Sequence, residues 1–171
     1  MVVLPKNISS KREIMELDRI DIALLRLLRN NARMPNKDLA DKVGVAPSTA
    51  LERIRRLREA RVIEGYHAEL NPAGIGIGLQ AMVAVRLNRH SREQVIALHD
   101  HLLALPEVIA FYHVAGANDF LVHVGVRDAE HLREFAMAAL TSRPEVAHIE
   151  TNLIFEFRRS ADLPIYARPV D

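Results

Sequence analysis

Asn36 to Arg58 reads NKDLADKVGVAPSTALERIRRLR, two short amphipathic helices hinged at Val43-Gly44-Val45. In the first, Leu39, Ala40 and Val43 fall on one face, and Ala40 is small enough for a second helix to cross closely. Gly44 follows the last periodic residue, where a left-handed backbone stops a helix without a Cβ penalty. Pro47 takes the first position of the next helix, where its missing N–H costs nothing. From there Ala50, Ile54 and Leu57 form an inward stripe with Leu51 on its edge. The opposite arc carries Ser48, Thr49, Glu52, Arg53, Arg55 and Arg56: hydroxyls, a carboxylate and three guanidinia, the groups that pair with phosphates and reach base edges in a major groove. The layout is that of a helix-turn-helix, and these six side chains are its candidate contacts to double-stranded DNA.

Amphipathic helix pairs with Arg and Glu outside also occur as plain solvated surface, so the charge distribution carries weight. Up to Leu70 there are 14 Lys/Arg against 10 Asp/Glu, and beyond it 9 against 12, a basic front and an acidic back hidden inside a net charge of +1. Nucleic acid is expected to meet the front. The 171 residues hold one ordinary domain or two small ones. With no cysteine, disulfides, thiolate metal sites and a cysteine nucleophile drop out together, which suits a reducing cytoplasm. Neither the start of the chain nor the glycine-studded stretch from Gly74 to Val85 has the length of a membrane span.

Residues 1–16 lack firm periodicity and read as a mobile extension. Asp18 can cap a helix running to about Asn30, with Ile20, Leu24, Leu27 and Leu28 on one face. After the second helix of the pair, residues 62–70 alternate as a small wing or linker strand, closing a DNA-binding domain over 17–70. The GIGIG of residues 74–78 lies in a glycine-rich linker, 71–78, and leads into a strand; a dinucleotide fingerprint must instead follow a strand and open a helix. From Leu79 the period changes. A strand (79–87), a helix capped by Ser91, two strands (108–114 and 120–126) joined by Ala115-Gly116-Ala117-Asn118-Asp119, a helix capped by Asp128 and a last strand (146–157) follow in order. That is β-α-β-β-α-β, the ferredoxin-like order, and the class is α+β, a winged helix-turn-helix followed by a ferredoxin-like domain over 79–157. Residues 158–171 read as an irregular tail. Two helices cover only one face of four strands, so a second copy is expected on the other. Leu79, Val83, Val122, Val124, Leu153 and Phe155 are candidates to reach that interface, depending on strand register.

No enzyme site emerges. His99 and His101, two apart on a helix, cannot share a metal; His113 and His123 lie on neighbouring strands but lack a third ligand. Ser91 is a helix cap. No metal and no cofactor is expected.

A helix-turn-helix, a linker and a β-α-β-β-α-β domain in this order resemble the leucine-responsive and asparagine-responsive (Lrp/AsnC) regulators. The resemblance rests on Leu17-Asp18 with Asp21, Ala32-Arg33, Leu39-Ala40, Val43-Gly44-Val45, Arg53-Ile54 with Leu57, Val62-Ile63, Gly65-Tyr66 and the Gly116-x-x-Asp119 turn. It implies a sequence-preferring transcription regulator, built from homodimers that assemble into octamers and bind a small effector, typically an amino acid, near that turn. Gly116, Asn118 and Asp119, with Thr151 on the last strand, are then the candidate effector residues: a bare backbone can approach a carboxylate, and Asp119 can pair with an ammonium. The alternatives on the same architecture are a DNA-architectural protein with low sequence preference and a tetrapyrrole decarboxylase. Two residues depart from the family pattern, Ala46 where a serine usually caps the reading helix and Arg61 where a glycine usually follows it.

Overall fold

A computed structural model of the chain describes residues 15–89, 91–160 and 163–166. Most of the N-terminal extension (1–14) and parts of the tail (161–162 and 167–171) lie outside the described residues. The chain divides into two compact units, Met1–Ala68 with Arg159–Asp171, and Glu69–Arg158.

The first unit holds α1 (Arg19–Asn30), α2 (Asn36–Val43) and α3 (Pro47–Glu59). Asp18 caps α1 in a reciprocal box: it accepts from the Asp21 N–H at 2.8 Å, and the Asp21 carboxylate accepts from the Asp18 N–H at 3.3 Å. Gly44, at φ 72°, ends α2 in the left-handed region. Leu24, Leu28 and Leu39 form the buried centre, with Ile20, Leu27, Val43, Ile54 and Ile63 packed around it, while Ala50 and Leu57 of α3 are fully buried. The expected wing is absent: residues 62–70 form no strand among the described residues. The N–H groups of Val62 and Ile63 both turn back to the Leu57 carbonyl, at 2.9 and 3.1 Å. They satisfy the open end of α3 and are not available to a ladder.

The second unit opens with a 3-10 turn, Ala73–Ile75, that leads the glycine-rich linker into β1 (Leu79–Leu87); α4 (Arg92–Ala104), β2 (Val108–His113), β3 (Phe120–Val126), α5 (Ala129–Phe135) and β4 (Val146–Leu153) follow. The sheet runs β2-β3-β1-β4, every pair antiparallel. Gly78 is required by close approach, since a Cβ there would stand 2.3 Å from the Arg127 carbonyl oxygen. On one sheet face Ala81, Val83, Val85 and Leu87 of β1 and Phe120, Val122, Val124 and Val126 of β3 pack against Leu98, Leu102, Leu132, Phe135 and Leu140 of the helices. Burying one such side chain is worth roughly 1.5–3 kcal/mol, so this face is the unit's main source of stability.

The register corrects the interface candidates. Leu79, Val83, Val122 and Val124 belong to or pack on the helix-covered core, whereas Leu153 and Phe155 are exposed. Strand alternation assigns Gln80, Met82, Ala84 and Arg86 of β1, Leu121 and His123 of β3, and Tyr112 of β2 to the other face. Two elements end differently from their periodicity. β4 stops at Leu153, which pairs with Ala81, and the edge ends with the Ile154 N–H donating to the Gln80 carbonyl at 2.9 Å. The last helix changes to a π-helix over Ala136–Thr141. The Ser142 N–H then reaches back five residues, to the Met137 carbonyl at 3.1 Å.

Candidate functional site

The outward surface of α3 starts at an open end: Ala46 is the N-cap residue and no side chain caps the helix there. The first turn is tied instead from α2, where Asn36 Nδ2 donates to the Pro47 carbonyl at 2.7 Å. Ser48, Thr49, Glu52, Arg55 and Arg56 are all exposed, and so is Leu51, an apolar group the periodicity puts only at the stripe's edge. Arg55 Nη2 lies 2.7 Å from Glu52 Oε1 and its Nε lies 3.9 Å from Glu59 Oε1, both across open surface. Such pairs are worth little and exchange readily for phosphate. The Glu52 hydrogen bond, with the charges of Glu52 and Glu59, holds the Arg55 guanidinium above its ordinary pKa.

Arg53 departs from the expected arc. Its guanidinium points at α1, where Nη1 donates to Asp18 Oδ2 and, at 3.0 Å, to Asp21 Oδ1. The Asp18 hydrogen bond, above all, raises the Arg53 pKa, Asp21 adding to it against the opposing effect of burial. Arg56 is half-exposed, and its Nη2 reaches Asp21 Oδ2 at 2.6 Å. Burial pushes the Asp18 carboxyl up, but the Asp21 N–H and Arg53 outweigh it and hold the group below its ordinary value. Asp18 is legible in the sequence as a cap; what Asp21 does is not. The only signal is an aspartate at the third position of a helix whose neighbouring positions are apolar. Arg58, exposed at the last turn of α3, has no carboxylate partner among the described residues and joins the candidate phosphate contacts. Arg61 holds φ 55°, a left-handed conformation without glycine.

In the second unit Gly116 adopts φ 138°, with open space where a Cβ would stand. Val114 N–H closes the turn on the Asp119 carbonyl at 2.9 Å. Asp119 itself is buried: its N–H donates to the Val85 carbonyl at 2.9 Å and its Oδ2 accepts the Leu87 N–H at 2.7 Å. That carboxylate latches the turn to β1, at the point where the β1–β4 register shifts between Arg86 and Leu87. Thr151 is exposed on β4, opposite Val83. Since β1 lies between β3 and β4, two strand spacings, about 10 Å, separate it from β3 within one chain. Gly116, Asn118 and Asp119 are therefore brought together, and Thr151 is not.

The histidines do not converge. His113 stacks on Phe120 at 4.8 Å, while His123 lies on the opposite face with Nε2 2.8 Å from Gln80 Oε1 and the Phe157 ring at 5.7 Å. Burial lowers the His123 pKa. Among the described residues no group of three or more His, Asp or Glu could hold a metal, and no helix is long and apolar enough to cross a membrane.

Residues 17–58 match the AsnC-type helix-turn-helix domain and residues 80–160 the Lrp/AsnC ligand binding domain. The HTH-type transcriptional regulator AldR of Mycolicibacterium smegmatis is 41% identical over 157 residues, spanning 92% of this chain and 90% of its own length. The Bkd operon transcriptional regulator of Pseudomonas aeruginosa is 32% identical, spanning 80% of this chain and 89% of its own. A transcriptional regulator of Neisseria meningitidis, solved in complex with L-Met, superposes with a TM-score of 0.82 at 26% identity, covering 88% of this chain and 97% of that one. Helix-turn-helix, antiparallel sheet and relatives agree: the chain belongs to the Lrp/AsnC family of transcriptional regulators, DNA-binding proteins with a small-molecule-binding domain and not enzymes.

Proposed function

We propose that this regulator reads DNA with Ser48, Thr49, Leu51, Glu52 and Arg55 of α3, and that Arg58 and Arg61 flank this arc at the phosphates, Arg56 being drawn onto Asp21. The observation that carries this reading is the exposed row on α3, where the ion pairs of Arg55 to Glu52 and Glu59 are screened surface ones. Arg53 serves the reading helix from behind, through Asp18 and Asp21. Two copies related by a two-fold axis would set paired α3 helices about 34–36 Å apart on a palindromic site. The dimer is supported by the apolar groups on the uncovered sheet face, Met82, Leu121 and Tyr112, and dimers assemble further into octamers. Such a protein works in the cytoplasm.

The effector is an amino acid bound at Gly116 to Asn118. The open backbone at Gly116 suits its carboxylate, and the Asn118 amide offers both donor and acceptor. Asp119 shapes this site from below, and Thr151 would join it from a second copy. The support is the open, left-handed Gly116 beside a turn held rigidly by its own aspartate, together with the L-Met bound by the Neisseria meningitidis relative. Thermal shift against the twenty amino acids, run beside gel shift on the promoter of the protein's own gene, tests this. One amino acid should raise the melting temperature and change DNA affinity, and Asn118→Ala should lose both responses while keeping ligand-free DNA binding. A wild-type screen without any response would remove the sensing role.

A further inference from the structure

The four arginines of α3 stand in different electrostatic settings. Among the described residues Arg55 has only exposed carboxylate partners, Glu52 and Glu59, and Arg58 has none. Arg53 and Arg56 both end on Asp21, whose side chain is 1% exposed. A carboxylate removed from water is strongly unfavourable unless charge and hydrogen bonds replace its hydration. Here one oxygen takes Arg53 Nη1 at 3.0 Å and the other takes Arg56 Nη2 at 2.6 Å. Asp18 adds a second carboxylate on Arg53, so the four side chains sum to zero charge. They also join the start of α1 to the middle of α3, fixing the rotation of the reading helix about its own axis.

We propose that Asp21 is a positioning residue for DNA recognition, masking two of the four α3 arginines so that sequence-independent phosphate attraction is held down while the reading arc is kept in orientation. The inference rests on DNA recognition by α3. Nonspecific binding is almost entirely phosphate electrostatics and counterion release, so a helix carrying four unmasked guanidinia would bind any duplex. Base discrimination instead needs the arc at a fixed angle. Asp21 serves both ends with one buried carboxylate.

The test measures affinity by fluorescence anisotropy over a salt series, on the protein's own promoter fragment and on a scrambled duplex of the same length, for wild type, Asp21→Asn, Arg56→Gln and the double variant. Asp21→Asn should bind the scrambled duplex at least about threefold more tightly at low salt, and its slope of log affinity against log salt should steepen by about 0.9 for each guanidinium released per subunit. Its preference for the promoter should fall about tenfold. Adding Arg56→Gln to Asp21→Asn should reverse part of the extra slope. Arg56→Gln alone, which leaves Asp21 paired to Arg53, should change the wild-type slope by less than half of one phosphate contact. If Asp21→Asn lowers the melting temperature and weakens both duplexes alike with the slope unchanged, Asp21 is a fold residue only and the proposal is wrong. If Asp21→Asn does not fold, Arg56→Gln decides: a loss of a full 0.9 in slope overturns masking, and a loss below half of that supports it. Wild type showing no preference for its promoter would instead overturn the reading of α3 itself.

Discussion

Arg61 and Ala46 show what single residues cost this chain. A non-glycine residue in the left-handed region costs roughly 1–2 kcal/mol, part of which glycine would return through its freer unfolded chain. Arg61→Gly, at φ 55°, should therefore raise stability in urea titration by about 0.5–1 kcal/mol while lowering DNA affinity if the guanidinium touches phosphate. Ala46→Ser should supply the missing cap of α3 and add about 1 kcal/mol. His123 contributes in the opposite direction at low pH. Burial keeps its pKa below the ordinary 6.5, so the unfolded chain binds more protons than the folded one as pH falls past that value. The stability of the neutral, buried imidazole is complete above pH 6.5 and is lost as pH drops from there toward the depressed folded value. Denaturation midpoints measured between about pH 7 and about pH 5 should fall more steeply for wild type than for His123→Gln; equal slopes would show that His123 does not titrate in this way.

At the scale of elements, the sequence was informative wherever a local rule acts alone. The start of α1 at Asp18, the left-handed stop at Gly44, Pro47 at the head of α3 and the caps of α4 and α5 are each decided by one or two residues, and each stands where the periodicity puts it. What depended on which of several partners a backbone or side-chain group takes was not legible. The alternation of residues 62–70 suggests a strand, but their first two N–H groups close α3. β4 stops pairing at Leu153, opposite Ala81, although its alternation runs on to Phe157. The helical spacing at Leu132, Phe135, Ala136, Ala139 and Leu140 does not show that the last turns take the π form. In the sites, the exposed row of α3 was readable from its period; the turning of Arg53 onto Asp18 and Asp21, and of Asp119 onto Leu87, required the packing of α1 on α3 and of β3 on β1. The Asp119 latch has a measurable consequence. Asp119→Ala leaves the buried Leu87 N–H without its acceptor, at a cost of about 1–3 kcal/mol, so its melting temperature should fall while DNA affinity without ligand, which resides in the other unit, stays near wild type. A melting temperature unchanged from wild type would show the latch to be dispensable.

At the scale of the whole molecule, the uncovered sheet face and the reading helix make the same demand for a second copy. One face of the sheet is filled by α4, α5 and the π turn, and the other presents Tyr112, 55% exposed, beside Met82, Leu121 and Arg86. Light scattering should find at least a dimer at micromolar concentration, and Tyr112→Glu combined with Leu121→Glu should shift it toward monomer; a stable wild-type monomer would contradict the two-fold arrangement. The account stands chiefly on α3 as the DNA reader, and one measurement addresses that most directly: the salt dependence of binding to the protein's own promoter fragment for wild type and for Arg55→Ala with Arg58→Ala. The account predicts a steep negative slope of log affinity against log salt for wild type, a loss of at least about tenfold in affinity for the double variant, and a slope shallower by about 0.9 for each phosphate contact removed per subunit, with assembly unchanged. A double variant that binds as tightly as wild type at moderate salt, with the same slope, would contradict it.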